Sequence, residues 1–256
     1  MNGKEQVLGM VLSATPYGEY DKRLVILTKE YGKITAFAKG ARRASSSLLG
    51  CSQAFAFGTF HVIRGRSSYT LLAAEISNYF AELREDLEAI YYGFYFCEFA
   101  DYLSRENVDG TEILKLLYQS FRALVKKPVS FLLIRYIFEM KIMTINGEAP
   151  MMFSCVKCGK KESFHMVSVE NGGVLCEECR GKGSGVQELS AGLRYTLQFI
   201  ITSGIEKLYT FDVTEAVREE LGKFLASYLQ KYAPFESKSL AMIENLTLQI
   251  EGKSIK

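Results

Sequence analysis

Histidine is scarce in this chain, and the motifs of the common enzyme classes are missing. His61 and His165 are its only histidines among 256 residues. The sequence contains no H-E-x-x-H, no G-x-S-x-G and no H-x-E near the cysteines, and the glycine-rich run at 181–185 lacks the spacing of a phosphate-binding loop. Acid–base catalysis would have to rely on carboxylates, and no obvious pair of them stands out. The sequence therefore predicts a protein that is not an enzyme.

Proline and long apolar runs are also rare. With four prolines and 48% hydrophobic residues, the composition is globular and excludes disorder and collagen. The longest charge-free stretch, 44–63, contains several serines and would insert poorly into a membrane. The N-terminal residues lack the apolar segment of a signal peptide. We therefore expect a soluble, cytoplasmic protein that does not bind membranes.

Net charge is nearly absent from the chain as a whole but not from its first part. Lys and Arg number 31 and Asp and Glu 29, which leaves a formal charge of +2. Residues 1–80 nevertheless carry ten basic against five acidic residues, a balance of +5, so that the remainder carries −3. This asymmetry predicts a basic N-terminal domain followed by a mildly acidic body.

Short strand patterns dominate the first 80 residues. They cover Val7–Ser13, Arg23–Thr28, Lys33–Lys39, Ala54–Arg64 and Tyr69–Ser77, mostly joined by hairpin-like turns. Five strands in so short a segment predict an antiparallel barrel, and the OB-fold is the commonest barrel of that size. We therefore expect an OB-fold domain over 1–80.

Helical patterns follow, interrupted by a cysteine-bearing segment. The apolar spacing predicts helices over Leu83–Arg105, Glu112–Lys126, Ser130–Ile145, Leu189–Ser203 and Thr214–Tyr232, with a short one over Ser239–Leu246. The predicted fold class is α+β and multidomain, with a helical domain formed by 81–150 and 186–256. The segment 151–185 is predicted to be a zinc ribbon inserted into it.

Four of the six cysteines form two C-x2-C pairs. Cys155 and Cys158 are separated by seventeen residues from Cys176 and Cys179, which is within the range of zinc ribbons. Because four thiolates fill a tetrahedral zinc ion, we expect one structural Zn²⁺ without an open position for substrate. The other two cysteines, at 51 and 97, stand alone in apolar surroundings, an arrangement that favours a reducing compartment.

Two alternatives to the zinc ribbon remain at this stage. In the first alternative, the four cysteines are free thiols that have this spacing by chance. In the second, one pair is a redox C-x-x-C motif, although no βαβ pattern surrounds either pair. His165 lies between the pairs, and with four sulfurs available we expect it not to be a ligand.

A basic segment follows the third predicted strand. Lys39, Arg42 and Arg43 succeed a strand in which Lys33 and Phe37 share the outward face. Lys22 and Arg23 end the first loop, and Arg64 and Arg66 flank the last. Those two loops border the binding groove of an OB-fold, so three basic clusters are expected to converge around an aromatic ring and to bind nucleic acid. The simpler alternative is that each cluster is a solvated loop, and that Phe37 belongs to the core.

The order of the motifs resembles that of the RecO family of bacterial DNA repair proteins over nearly the whole chain. The motifs are Ser13 in the opening strand, Tyr17-Gly18-Glu19-Tyr20-Asp21, Leu27-Thr28, Tyr31-Gly32-Lys33, Ala38-Lys39-Gly40-Ala41-Arg42-Arg43 and the four-cysteine insert. The resemblance implies an OB-fold, a helical domain and a zinc ribbon. By motif, it carries over only Lys39, Arg42 and Arg43 as DNA contacts.

The same resemblance implies a function and a set of partners. These are binding of single- and double-stranded DNA, annealing of complementary strands, and association with RecR and the acidic C-terminal tail of single-strand binding protein. Together they would load RecA in recombinational repair, in the bacterial cytoplasm and close to the nucleoid. Three rivals are an RNA-binding protein of translation, a zinc-dependent hydrolase and a scaffold that docks on an acidic protein.

Overall fold

The first five strands of the computed structural model form a closed barrel. The structure describes residues 3–180 and 185–253, and side chains as far as residue 245. The strands are β1 (Lys4–Tyr17), β2 (Asp21–Thr28), β3 (Gly32–Ala38), β4 (Phe57–Arg64) and β5 (Tyr69–Asn78). Their order is β1-β2-β3-β5-β4, with β4 closing on β1. The predicted five-stranded barrel is confirmed.

Alternation of side chains explains why these segments form a barrel. In β3 the residues Ile34, Ala36 and Ala38 are buried inside, whereas Lys33 and Phe37 face outward and are half-buried. All neighbouring strands are antiparallel except β3 and β5, whose short parallel contact pairs Phe37 with Thr70. A five-stranded barrel with this connectivity has the arrangement of an OB-fold.

Three helices belong to the same compact unit as the barrel. They are α1 (Leu87–Leu103), α2 (Thr111–Lys126) and, from the end of the chain, α6 (Lys238–Lys253). The Asp86 carboxylate caps α1 by accepting hydrogen bonds from the next backbone N–H groups. Phe55, in the loop before β4, lies 4.7 Å from the Phe94 ring of α1 and 5.1 Å from the Phe121 ring of α2. Packing of these rings joins α1 and α2 to the barrel, and α6 packs against α1.

The remaining elements form a second compact unit, 127–236. Its helices are α3 (Phe131–Ile145), α4 (Ala191–Thr202) and α5 (Glu215–Tyr232), and its small sheet consists of β6 (Phe164–Ser168), β7 (Gly173–Cys176) and β8 (Val186–Glu188) in the order β7-β6-β8. Lys141 of α3 is buried and donates hydrogen bonds to carbonyls at the C-terminal end of α4, including that of Ser203 at 2.7 Å. We name 127–236 the ribbon unit and the rest of the described chain the barrel unit.

The compact units divide the chain differently from the predicted domains. The helical region was expected to be one domain of 81–150 and 186–256, but α1, α2 and α6 belong to the barrel unit. The short helix expected over 239–246 is a helix of 16 residues, and the strand β8 has no counterpart in the sequence analysis. Part of the predicted insert and of the glycine-rich run, 181–184, lies outside the described residues. Among those that are described, no helix has the length and apolar character needed to cross a bilayer.

Candidate nucleic-acid interface and metal centre

The basic segment after β3 is held in a fixed turn against the loop between β1 and β2. Gly40 has a left-handed backbone (φ +67°), and its N–H donates to the Asp21 carboxylate at 2.7 Å. The backbone N–H of Arg42 donates to the carbonyl of Tyr20 at 2.9 Å. These bonds bring Lys39, Arg42 and Arg43 beside residues 18–20.

Two arginines of this turn use the neighbouring loop in different ways. Arg42 Nη1 donates to the carbonyls of Gly18 and Glu19 at 3.2 and 3.0 Å, so this guanidinium supports the loop. The guanidinium of Arg43 lies over the ring of Tyr20, 4.7 Å from its centroid, where it gains a cation–π contact. Lys39, Arg42 and Arg43 are all exposed. Because the Arg42 guanidinium binds the loop carbonyls, the turn presents the cations of Lys39 and Arg43 beside a preorganised loop.

Aromatic side chains lie beside these cations on the outer face of the barrel. Phe37 of β3 packs against Tyr17 at the end of β1, with ring centroids 4.7 Å apart. Arg23 of β2 is exposed and pairs in register with Phe37. We name Tyr17, Tyr20, Arg23, Phe37, Lys39, Arg42 and Arg43 the cationic aromatic face.

Two predicted DNA contacts have other partners in the structure. The Nζ of Lys33 lies 2.8 Å from the Asp101 carboxylate of α1 and 2.6 Å from the carbonyl of the same residue. The Nζ of Lys22 donates to the carbonyl of Ser52 at 2.7 Å, and burial lowers the pKa of this lysine. Both ammonium groups join parts of the barrel unit, so we leave them out of the cationic aromatic face.

The expected convergence of three basic clusters stays a prediction, and the structure gives the position of the third cluster. The guanidinium of Arg64 lies 5.9 Å from the ring centroids of both Tyr31 and Tyr69. The backbone of Arg64, at the end of β4, pairs with Tyr69 of β5, and Tyr69 pairs with Ala36 of β3. Arg64 thus lies two strands away from the C-terminal half of β3, with its guanidinium over Tyr31 and Tyr69, and Arg66 follows it in the exposed loop before β5.

Sequence reasoning missed Tyr17 and Tyr20 as members of the face. Tyr17 is 54% exposed and Tyr20 is 42% exposed. A hydrogen bond with Glu19, with burial as a minor cause, raises the pKa of Tyr20. Both tyrosines were present in the motif that carries the family resemblance. Their position beside Phe37 and Arg43 depends on how the strands pair, so no local pattern indicated it.

The four cysteines of the two C-x2-C pairs come together in the ribbon unit. Their sulfur atoms all lie within 4.8 Å of one another, and the Sγ atoms of Cys158 and Cys176 are 3.5 Å apart. Gly159 takes the left-handed backbone (φ +74°) that closes the first turn, and its N–H donates to the Cys155 carbonyl at 2.8 Å. Zinc–sulfur bonds in a tetrahedron place sulfurs about 3.8 Å apart. The cluster therefore fits a single tetrahedral metal ion.

The environments of the sulfurs differ. Burial raises the pKa of Cys155, but hydrogen bonds from backbone N–H groups, among them those of Cys176 and Cys158, outweigh it and hold the pKa at about 6. Burial, with hydrogen bonds to the neighbouring sulfurs, raises the pKa of Cys179 to about 12. A cation must therefore offset the charge if all four are to bind as thiolates. His165 is exposed on β6 and is not part of the cluster.

The architecture defines a class of protein in which an OB-fold barrel is followed by helices and a four-cysteine ribbon. Comparison with known proteins is consistent with this class. The family model for the N-terminal domain of recombination protein O matches residues 1–80, and that for its C-terminal domain matches 84–241. The chain belongs to the RecO family, which confirms the resemblance noted from its motifs.

Curated relatives share this length and order. A protein of Acetivibrio thermocellus is 31% identical, covering 93% of this chain and 95% of the relative. One of Alkaliphilus metalliredigens is 33% identical over 86% of this chain and 90% of its own length, and one of Bacillus pumilus is 31% identical over 90% of each. All three are named "DNA repair protein RecO".

Proposed function

We propose that this chain is a recombination mediator. It binds single- and double-stranded DNA through its barrel, anneals complementary strands and helps to load RecA on DNA coated with single-strand binding protein. Membership of the RecO family supports a role in DNA repair and recombination. The observation that carries the proposal is the cationic aromatic face, where exposed Lys39 and Arg43 adjoin exposed rings.

Annealing by this face requires no covalent chemistry. Two DNA strands repel each other through their phosphates, and a cationic surface that binds one backbone lowers the repulsion felt by the second. Lys39, Arg23 and Arg43 supply the charge. Arg42 keeps the β1–β2 loop in place, because its guanidinium binds two loop carbonyls. The loop is thus ordered before DNA arrives, and less entropy is lost on binding.

The partners of the proposed function are RecR and the acidic C-terminal tail of single-strand binding protein, and its location is the bacterial cytoplasm near the nucleoid. The support for these partners is the family resemblance. None of the described residues is assigned to either protein here.

We further propose that the four-cysteine cluster holds one structural zinc ion. When bound, zinc neutralises the thiolates and fixes the ends of β7 and the first C-x2-C turn. The support is the fit of the four sulfurs to one tetrahedral ion. Four sulfur ligands leave no position for water, which disfavours the zinc-dependent hydrolase considered from the sequence.

Strand annealing by the purified protein tests the main proposal. Complementary fluorescent oligonucleotides are mixed with and without the cognate single-strand binding protein, and duplex formation is followed in time. We expect the protein to accelerate annealing in both cases, and the double variant Lys39→Ala, Arg43→Ala to lose most of this acceleration. Lys223→Ala, an exposed lysine of α5, is the matched control.

Three results would contradict the proposal. Equal annealing by the double variant would remove the cationic aromatic face from the mechanism. Tighter binding of RNA than of DNA of equal length in direct competition would favour the RNA-binding alternative, since stacking tolerates both sugars. Absence of DNA affinity at low salt would favour a scaffold that docks on an acidic protein.

A further inference from the structure

Two aromatic rings on the outside of the barrel have no evident role in its core. Tyr17 ends β1, is 54% exposed, and leans on half-buried Phe37 of β3. The barrel interior is filled by other residues, such as Val11, Ile34 and Phe60, which are buried. The pair therefore lies on the outer surface, where a ligand can reach Tyr17.

We propose that Tyr17 and Phe37 form a stacking platform for unpaired bases, so that the cationic aromatic face binds single-stranded DNA in preference to duplex. This inference rests on the proposed function and names the form of DNA that the site prefers. In duplex DNA the bases stack on one another and their faces are covered, whereas an unpaired base can place its face on a protein ring.

Strand geometry shows that the pair is built across an intervening strand. Tyr17 pairs with Asp21 of β2, and Arg23 of β2 pairs with Phe37 of β3. The two rings therefore belong to strands two positions apart, which are separated by roughly 9.6 Å. Because their ring centroids are only 4.7 Å apart, both side chains lean toward each other over β2. The ring planes are inclined by 56° to each other, so the pair offers the exposed face of Tyr17 with Phe37 supporting it.

Charges around the platform suit a nucleic-acid backbone. Arg23 adjoins Phe37 in register, and Arg43 stacks on Tyr20 three residues beyond Tyr17. The acid on the same strand, Asp21, accepts a hydrogen bond from the Gly40 N–H at 2.7 Å and thereby holds the basic turn in place. Bases on the rings would thus have cations on either side to bind the phosphates.

The stacking surface predicts a component of binding that salt does not weaken. Phosphate contacts release counterions, so affinity from them falls with ionic strength, whereas base stacking releases none. Loss of a ring should therefore lower the affinity without changing the slope of log affinity against log salt. Loss of a cation should change the slope. This difference separates the platform from the cations beside it.

Replacing bases by abasic sites tests the platform without altering the protein. The probes are a fluorescent oligothymidylate and an oligonucleotide of equal length and charge that carries abasic sites throughout. We expect the wild-type protein to bind the thymidylate about 5- to 150-fold more tightly, the range for stacking on one ring surface. A Tyr17→Ala protein should lose most of that preference, whereas Tyr17→Phe should keep it, because the phenylalanine ring also stacks.

Controls distinguish failure of the platform from failure of the proposed function. Tyr195→Ala removes a tyrosine of α4 that is 70% exposed, and should bind both probes like wild type. Phe37→Leu keeps an apolar side chain on β3 but removes the ring, and should also lose the preference. Equal wild-type affinity for both probes would overturn the platform while leaving DNA binding intact. Binding of neither probe would overturn the proposed function itself.

Discussion

Lysines 33 and 39 lie at the two ends of one strand and have different surroundings. Lys33 makes an ion pair with Asp101, and Lys39 is exposed in the basic turn. The alternation of β3, continued to Lys39 just after its end, points both side chains outward, because positions 33 and 39 differ by an even number. Only the position of α1 distinguishes them. The first lysine thus stabilises the barrel unit, and the second is available for phosphate.

Salt dependence of DNA binding should reveal this difference. In Lys39→Ala and in Arg43→Ala, the slope of log affinity against log salt for single-stranded DNA should decrease in magnitude by about 0.7, one phosphate contact each. In Lys33→Ala the slope should stay at the wild-type value, with a stability loss of about 0–1 kcal/mol typical of a partly exposed ion pair. Fluorescence anisotropy titrations over a range of salt concentrations measure the slopes.

A slope that falls equally in Lys33→Ala would show that this lysine leaves Asp101 to bind DNA. An unchanged slope in the triple variant Lys39→Ala, Arg42→Ala, Arg43→Ala would remove the basic turn from the interface altogether. Arg42→Ala should weaken binding by a second route, because it releases the carbonyls of Gly18 and Glu19 that order the loop.

At the scale of elements, the small sheet of the ribbon unit lies beside the four-cysteine cluster. The sheet has three short strands, and β7 ends at Cys176. Isolated hairpins are marginally stable, and this sheet owes part of its stability to Val167, Val174 and Leu175, which are buried in the ribbon unit. The hydrogen bond from the Val174 N–H to the Met151 carbonyl, at 2.9 Å, attaches β7 to the preceding loop. The cysteine cluster then supplies the cross-link that the sheet lacks.

Replacing one cysteine should remove the metal and loosen this element. A structural zinc contributes on the order of 10 kcal/mol in finger peptides, so Cys176→Ser should lose its zinc and the protection of β6 and β7 amides from hydrogen exchange. Barrel amides should keep their protection. Metal analysis and exchange mass spectrometry measure both effects, and His165→Ala is the matched control, expected to retain one zinc per chain. Full zinc content and normal exchange in Cys176→Ser would contradict a structural role.

At the scale of the whole molecule, the last helix, α6, belongs to the same compact unit as the N-terminal barrel. The Glu98 carboxylate of α1 accepts a hydrogen bond from the Ser239 hydroxyl at 2.8 Å and another from that of Ser237. Ser237 in turn accepts from the N–H of Leu240 at 3.0 Å at the start of α6. Ile243 of α6 is buried. Residues far apart in sequence thus complete the barrel unit.

Removal of the Glu98 carboxylate should detach α6. Hydrogen bonds to a charged group contribute about 1.5–3 kcal/mol, and Ser239 is buried, so Glu98→Ala should destabilise the barrel unit by about that amount. Amides of α6 should exchange faster, whereas those of α4 and α5 should not change. Glu219→Ala, an exposed acid of α5, is expected to alter stability by about 0.5 kcal/mol or less. Slow α6 exchange in Glu98→Ala would show that apolar packing alone holds the helix.

Much of the fold follows from patterns that are local in sequence. The alternation of residues in β3 indicated which side chains enter the barrel, and the two C-x2-C pairs indicated the four-cysteine cluster, because each pattern is local in sequence. The predicted helix over 239–246 was too short because its continuation lacks a strong apolar stripe. Strand β8 was missed because a strand of 3 residues gives little periodicity to read.

The sequence by itself determined the family, the barrel, the helices and the four cysteines. The tertiary structure decided which charges remain available and which rings meet. Lys33 is paired because the fold brings the Asp101 carboxylate of α1 to within 2.8 Å of its ammonium group, and Arg64 of β4 lies over the rings of Tyr31 and Tyr69. Tyr17 contacts Phe37 because only one strand, β2, lies between β1 and β3, so that two side chains inclined toward each other can touch. Such contacts join segments through strand pairing and helix packing, which single-sequence patterns do not encode.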